Sequence, residues 1–269
     1  MKIGLVQLNS TEDKHSNLAQ AEVGIALVAR EGADLVLLPE MFNHRGSDEA
    51  NAAAAEPIPG PSSEWASGMA ARHGVFLHLG SLIQQKGAER FNTSVVYDRA
   101  GAEAARYSKI HLFDVELPDG MIYQESNAIS SGDRIVTFDC EGFTFGLVIC
   151  YDLRFPELFR ALADRGAQAL LVPAAFTIPT GISHWESLVR ARAIENGCYV
   201  AACGQWGPSA AGKPCYGHSM VVEPWGVVIA QCHEGVSFVT AELDLEYLLS
   251  IRRRMPVLDH RRPDLFRCE

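Results

Sequence analysis

The stretch FGLVICYDLRFPELFRALADRG, residues 145–166, decides how the chain is read. An apolar run of strand length, residues 143–149, ends at Cys150. A short corner follows, and Pro156 stands where the first turn of a helix tolerates proline; helical spacing then runs to about Arg165. A strand that feeds a helix through so tight a corner is a building block of α/β proteins. It exposes the corner residue at the carboxyl edge of the sheet. That residue is Cys150, and the backbone N–H of Tyr151 behind it can point at a developing oxyanion. Free cysteines are also often just small buried residues. On position alone the two readings of Cys150 weigh the same.

Working outward, residues 2–8, 33–38, 75–83, 93–97 and 105–112 read as strands, with helices at 17–30 and 62–73. Downstream, strands are expected at 135–139, 169–172, 199–203, 219–222, 227–231 and 237–242, with helices at 156–165, 185–195 and about 244–254. Residues 113–133 form the longest segment without periodicity, and long irregular segments inside compact domains are often functional. No repeat, low-complexity tract or interdomain linker interrupts the 269 residues. The pattern predicts one α/β domain with two sheets packed face to face and helices outside.

Charge and composition narrow the function. With 23 basic and 33 acidic residues the chain carries a formal −10, which argues against a broad phosphate-binding surface and so against a nucleic-acid partner. The clusters Arg252-Arg253-Arg254 and Arg261-Arg262 read as solvated faces or subunit contacts. No stretch reaches the length of a membrane span, and the first residues lack the features of a signal peptide. Seven cysteines without a CxxC pair argue against a disulfide framework or a zinc site, so a cytoplasmic location is expected.

A thiol needs a base. Glu40 ends the run DLVLLPE and emerges at a carboxyl edge among apolar neighbours, where a carboxylate can be tuned toward general-base work. A solvated glutamate at a strand end is the plainer reading. Lys109 lies within the apolar pattern RYSKIHLFD, where an unpaired lysine is costly; beside a thiol it would favour thiolate or hold an oxyanion. An edge-strand lysine that blocks aggregation reads equally well. His111, His184 and His218 are rival bases, and periodicity does not choose among them. The other six cysteines have no comparable corner.

Taken together, LLPE with Glu40, YSKIHLFD with Lys109 and GLVICYDLRFPE with Cys150 resemble the nitrilase, or carbon–nitrogen hydrolase, superfamily over nearly the whole chain. The resemblance implies an α-β-β-α sandwich of residues 1–269 that pairs into a homodimer or higher homo-oligomer, with the tail from about Met255 on a partner subunit. It implies Glu40 as base, Lys109 as oxyanion stabiliser and Cys150 as nucleophile. Glu125, in Gln124-Glu125-Ser126, would orient Lys109. It further implies an amide substrate, a cysteine thioester, release of ammonia, and no need for a metal or organic cofactor. CYDLRFPEL, SHWESLVRARAIENGCYV, YGHSMVVEPWG and HRRPDLF resemble the branch acting on the ω-amide of deaminated glutathione, whereas KIHLFDVELP and QES also resemble the branch acting on α-ketoglutaramate or succinamate. An N-carbamoyl or nitrile hydrolase would use the same three residues on another carbon–nitrogen bond, and a silent binding protein on the same scaffold is the non-enzymatic reading. Substrate contacts are expected from Tyr151, Arg154, Phe176 and Thr177, although Arg154 could instead pin the corner through Asp152 or Glu157. Arg190, Arg192 and Glu195 read as a buried ion network, and His44 and Arg45 as pocket-shaping residues.

Overall fold

The computed structural model describes residues 1–117, 120–208 and 212–265. Strands β1 (Lys2–Gln7), β2 (Leu35–Leu37), β3 (Phe76–His78), β4 (Leu82–Lys86), β5 (Glu89–Tyr97) and β6 (Glu103–Ser108) enter a first sheet. Strands β7 (Asp114–Glu116) and β8 (Ile122–Gln124) form a separate hairpin. A second sheet takes β9 (Thr137–Cys140), β10 (Phe143–Leu147), β11 (Ala169–Ala174) and β12 (Tyr199–Gly204). The chain then makes a small hairpin of β13 (Trp206–Gly207) and β14 (Cys215–Tyr216), and returns to the second sheet with β15 (Met220–Val222) and β16 (Val228–Gln231). Finally β17 (Ser237–Glu242) rejoins the first sheet beside β1.

The strand orders are β17-β1-β2-β3-β5-β4, with β6 also on β5, and β16-β15-β12-β11-β10-β9. Each sheet has a parallel centre, β1-β2-β3 and β10-β11-β12, with antiparallel strands flanking it. Strand alternation sets the layers. In β1 and β2, Ile3, Leu5, Leu35 and Leu37 join Phe145, Leu147, Leu171 and Ala202 in a core between the sheets. Their neighbours Val6, Val36 and Leu38 face outward, against Ala21 and Ile25 of helix α1 (Lys14–Arg30). Helix α2 (Asp48–Ala53) is short, and α3 (Pro61–His73) packs beside α1 through Ala66, Met69 and Ala70. Contact there is tight: a Cβ on Gly24 would lie 2.2 Å from Val6 Cγ1. The second sheet is covered by α4 (Pro156–Asp164), α5 (Ile178–Asn196) and α6 (Leu245–Arg254). No helix of the described residues is long and apolar enough to cross a membrane.

Several expectations shift. The strand read at 75–83 is two strands, because Gly80 adopts φ 74° between them. A Cβ there would sit 1.9 Å from the Pro39 carbonyl oxygen, so the break lets β3 turn away directly under the chain that leads to Glu40. Strand β6 ends at Ser108 instead of running to residue 112, and Lys109 therefore lies just past a strand end. Helix α5 begins at Ile178, seven residues before its apolar periodicity, with Pro179 in its first turn. The segment 113–133 contains the β7–β8 hairpin and a 3₁₀ turn at Glu125–Asn127. Of the C-terminal motif HRRPDLF, Phe266 lies outside the described residues, as does Cys268; Arg261 pairs with Asp164 of the same chain.

His78 ends β3 fully buried, and burial pushes its imidazole from 6.5 down to about 3. Its Nδ1 accepts from the Gly80 N–H, which makes Nε2 the protonated nitrogen. Between about pH 6.5 and 3 the unfolded chain therefore binds a proton that the folded chain refuses, and stability falls as pH drops through that window. One proton changes the slope by about 1.4 kcal/mol per pH unit. Urea unfolding as a function of pH should lose that one-proton slope in His78→Leu.

Candidate active site

Three strand ends converge on one cavity of about 190 Å³. After β2, Leu38-Pro39-Glu40 carry the chain out of the first sheet, and Met41 turns it with φ 58°, held by a 3.2 Å bond from its N–H to Ser81 Oγ. Glu40 is 5% exposed. Lys109 follows β6, and Cys150 follows β10 at the start of a 3₁₀ turn, Cys150–Arg154, that leads into α4. Cys150 itself has φ 48°, a left-handed conformation unfavourable for a residue with a Cβ and found at functional sites.

The charges are arranged in a chain. Lys109 Nζ lies 3.2 Å from Glu40 Oε1 and 2.8 Å from Glu125 Oε2, with its side chain 2% exposed. Asn92 Nδ2 donates to Glu40 Oε1 at 2.8 Å and to Glu125 Oε1 at 3.3 Å. The Phe113 N–H holds Glu125 Oε2 at 2.8 Å. The Cys150 thiol lines the same cavity as the Glu40 carboxylate and the Lys109 ammonium. Burial alone would discharge Lys109, but Glu125 and Glu40 outweigh it and hold the ammonium well above the ordinary lysine range. Burial pushes the Cys150 thiol well above its usual value; Glu40 adds to this, and Lys109 opposes it. The resting state is thus a neutral thiol between a carboxylate and an ammonium, and its proton has to leave as the sulfur attacks.

One carboxylate that sequence reading did not single out for the site ties these parts together. Asp152 is fully buried. It accepts from Tyr107 Oη at 2.7 Å, Ile149 N at 2.8 Å, His111 N at 3.0 Å and His111 Nδ1 at 2.7 Å. These bonds bridge the segment carrying Lys109 to the corner carrying Cys150. The His111 ring also stacks on Phe155, with centroids 3.6 Å apart. From the other side Arg192 Nε holds the Leu153 carbonyl at 3.0 Å while pairing with Glu195 at 2.8 Å. Arg190 does not join that pair, of which only Arg192 is buried; it reaches Glu186 on the exposed face of α5.

Tyr151, Arg154, Phe176 and Thr177 all line the cavity. Arg154 pairs with neither Asp152 nor Glu157: its guanidinium lies 5.8 Å over the Tyr151 ring and 5.4 Å over Phe176, and bonds His184 Nδ1 at 3.2 Å. None of the nine histidines, all among the described residues, lines the cavity. His44 bonds the wall residue Asn51 without lining the cavity itself, whereas Arg45 is a wall residue. A second thiol, Cys215, also faces the cavity, 2.9 Å from Arg45 Nη1 and pushed up to about 11 by burial. Sequence reading missed Asn92, Asp152, Cys215 and Lys213. The polar run Asn92-Thr93-Ser94 inside an apolar strand was the available signal for the first.

Asp152→Ala would strand the Tyr107 hydroxyl and the Ile149 and His111 donors. A loss of about 3 kcal/mol or more is expected in urea unfolding; a change below about 1 kcal/mol would show that water replaces the carboxylate.

The carbon–nitrogen hydrolase family profile matches residues 2–253. Human deaminated glutathione amidase is 41% identical over 271 residues, covering 98% of this chain and 83% of that protein. Human omega-amidase NIT2 is 38% identical over 268 residues, covering 100% of this chain and 97% of that one. Among solved structures, a mutant amidase from Nesterenkonia sp. AN1, showing the result of Michael addition of acrylamide at its active site cysteine, superposes with a TM-score of 0.81 at 29% identity. That match covers 95% of this chain and 98% of the other.

Proposed function

The chain belongs to the carbon–nitrogen hydrolase (nitrilase) superfamily, hydrolases of carbon–nitrogen bonds other than peptide bonds, and from that premise we propose that it is a cysteine amidase acting on the ω-amide of a small dicarboxylic-acid monoamide. The observation that carries this reading is that Cys150, Glu40 and the Lys109 ammonium bound to Glu40 all line one cavity.

In the proposed cycle the Cys150 sulfur attacks the amide carbonyl while its proton passes to Glu40. The carbonyl electron pair moves onto oxygen, where Lys109 and the Tyr151 N–H stabilise it. The tetrahedral adduct collapses, Glu40 returns the proton to nitrogen, and the amine leaves. A water molecule then gives a proton to Glu40 and adds to the thioester. Collapse expels the sulfur, which regains its proton, and a carboxylic acid departs. Glu125 and Asn92 keep Lys109 and Glu40 in place throughout. No step calls on a metal or an organic cofactor.

The substrate we put first is deaminated glutathione, supported by the likeness to the human amidase of that name, with α-ketoglutaramate or succinamate second, supported by the likeness to human omega-amidase. Chemistry corrects one expectation here. Deaminated glutathione is a secondary amide whose nitrogen belongs to cysteinylglycine, so that dipeptide is its leaving amine. Ammonia leaves only from a primary amide such as α-ketoglutaramate. Both substrates leave the same acyl group on Cys150. We further propose one functional domain over residues 1–269, a cytoplasmic location, and a homodimer or higher assembly that includes the tail from about Met255. The assembly is supported by exposed Ile182, Ile194 and Trp225 on the helical side.

Cys150→Ala is expected to abolish turnover and leave the circular dichroism spectrum unchanged; residual wild-type activity would remove the nucleophile. Glu40→Gln should lower kcat about 10²- to 10⁴-fold, and full-rate turnover would reassign the base.

A further inference from the structure

The proposed reaction takes its base from one sheet and its nucleophile from the other. Glu40 follows β2 of the first sheet, and Cys150 follows β10 of the second. Proton transfer between them therefore depends on how the two sheets are held together at this edge. On the base side the first sheet supplies its own anchors. The Leu38 N–H donates to the His78 carbonyl at 3.1 Å, the Met41 N–H to Ser81 Oγ at 3.2 Å, and the Phe42 N–H to the Ser81 carbonyl at 3.1 Å. Lys109 and Asn92 hold the carboxylate at Oε1. None of these bonds ties the Glu40 backbone to the second sheet.

Gln205 does. It lies directly after β12 and is fully buried. Its Nε2 donates to the Glu40 carbonyl at 2.9 Å, to the Met41 carbonyl at 3.3 Å and to Ser10 Oγ at 2.8 Å. Its Oε1 accepts from the Ser10 N–H at 3.0 Å. Turning the amide over would set its oxygen against two carbonyl oxygens, so the partners fix which end is the donor. Ser10, just past β1, passes the link on through its hydroxyl to the Phe42 carbonyl at 2.8 Å. Three successive carbonyls around the left-handed residue Met41 are thus held by one buried unit. On its other side the Gln205 backbone N–H donates to the Ala174 carbonyl at 2.9 Å, at the end of β11, the strand beside β10. The next residue, Ala175, lines the cavity, whereas Gln205 does not.

A fully buried glutamine outside the cavity does not meet a substrate, yet this one grips the backbone of the base. We propose that Gln205 is a positioning residue for Glu40, the tie from the second sheet that sets the base at proton-transfer distance from the Cys150 sulfur. This rests on the amidase reading above, with Glu40 as base, and deepens it. A left-handed residue such as Met41 persists only where its surroundings hold it, and Gln205 holds the carbonyls on either side of that bend. Misplacing a reacting group by about 1 Å costs on the order of 10²-fold in rate. Because Gln205 touches no substrate, its removal should lower kcat and leave KM alone.

The test places Gln205→Met, close in length but without donors, in wild-type and in Glu40→Gln enzyme. Hydrolysis of α-ketoglutaramate and of deaminated glutathione is followed in each. In the wild-type background kcat should fall about 10- to 100-fold, with KM within about 2-fold. In the Glu40→Gln background there is no base to misplace, and the same substitution should change kcat by less than about 2-fold. Gln205→Glu keeps the shape and the acceptor for the Ser10 N–H but sets an oxygen against the Glu40 carbonyl, and it should repeat the pattern. An equal loss in both backgrounds, a rise in KM at constant kcat, or an unchanged rate would overturn the assignment. So would failure of both variants to fold, which would make Gln205 a structural residue. Wild-type enzyme inert toward both amides, or Glu40→Gln at full rate, would instead strike the amidase reading and take the assignment with it.

Discussion

A lysine ammonium that is almost wholly buried has to be matched by negative charge, and Lys109 is matched twice, by Glu40 and by Glu125. Burying three charges together is tolerable only when their hydrogen bonds are nearly complete; removing one partner of such a set costs about 3–5 kcal/mol. That constraint orders much of the surrounding structure. Asn92 bridges the two carboxylates, the Phe113 N–H fixes the second, and the thiol shares their cavity. Burial, with Glu40 beside it, keeps the sulfur protonated, and Lys109 opposes them.

The sulfur's own geometry depends on a second anchor. A left-handed φ at Cys150 does not persist without support, and the support comes from Asp152, whose acceptors gather the Ile149 N–H before the corner and Tyr107 and His111 beside Lys109. One buried carboxylate thus couples the strand end of the first sheet to that of the second. Arg192 closes the arrangement from α5 by holding Leu153. The site is rigid because its members are cross-linked through the core between the sheets.

Around this rigid floor the walls are more varied. Arg45 is locked into the backbone of a neighbouring segment, while Arg154 rests on two aromatic rings and a histidine. The distinction matters for recognition: a cation with all its donors occupied shapes a cavity, and one without a carboxylate partner among the described residues can meet a ligand's.

Read as a sequence, the chain determined its elements and its candidates. Periodicity placed most strands and helices, since alternation and 3.6-residue spacing follow from which faces must leave water. Glu40 and Cys150 were legible because each closes an apolar run, and Lys109 because it interrupts one; the family likeness chose their roles and added Glu125. What periodicity cannot carry is contact between distant segments. The division of 75–83 into two strands was set by the Pro39 carbonyl lying where a Cβ at residue 80 would be. The roles of Asn92 and Asp152 appear only when β5, the segment after β6 and the corner after β10 are brought within hydrogen-bonding distance of one another. Lys213 is 104 residues from Lys109 in the chain, yet both line one cavity, because two sheets packed face to face bring their strand ends to a common edge. A buried charge finds its partner through space, and only the folded chain specifies that space.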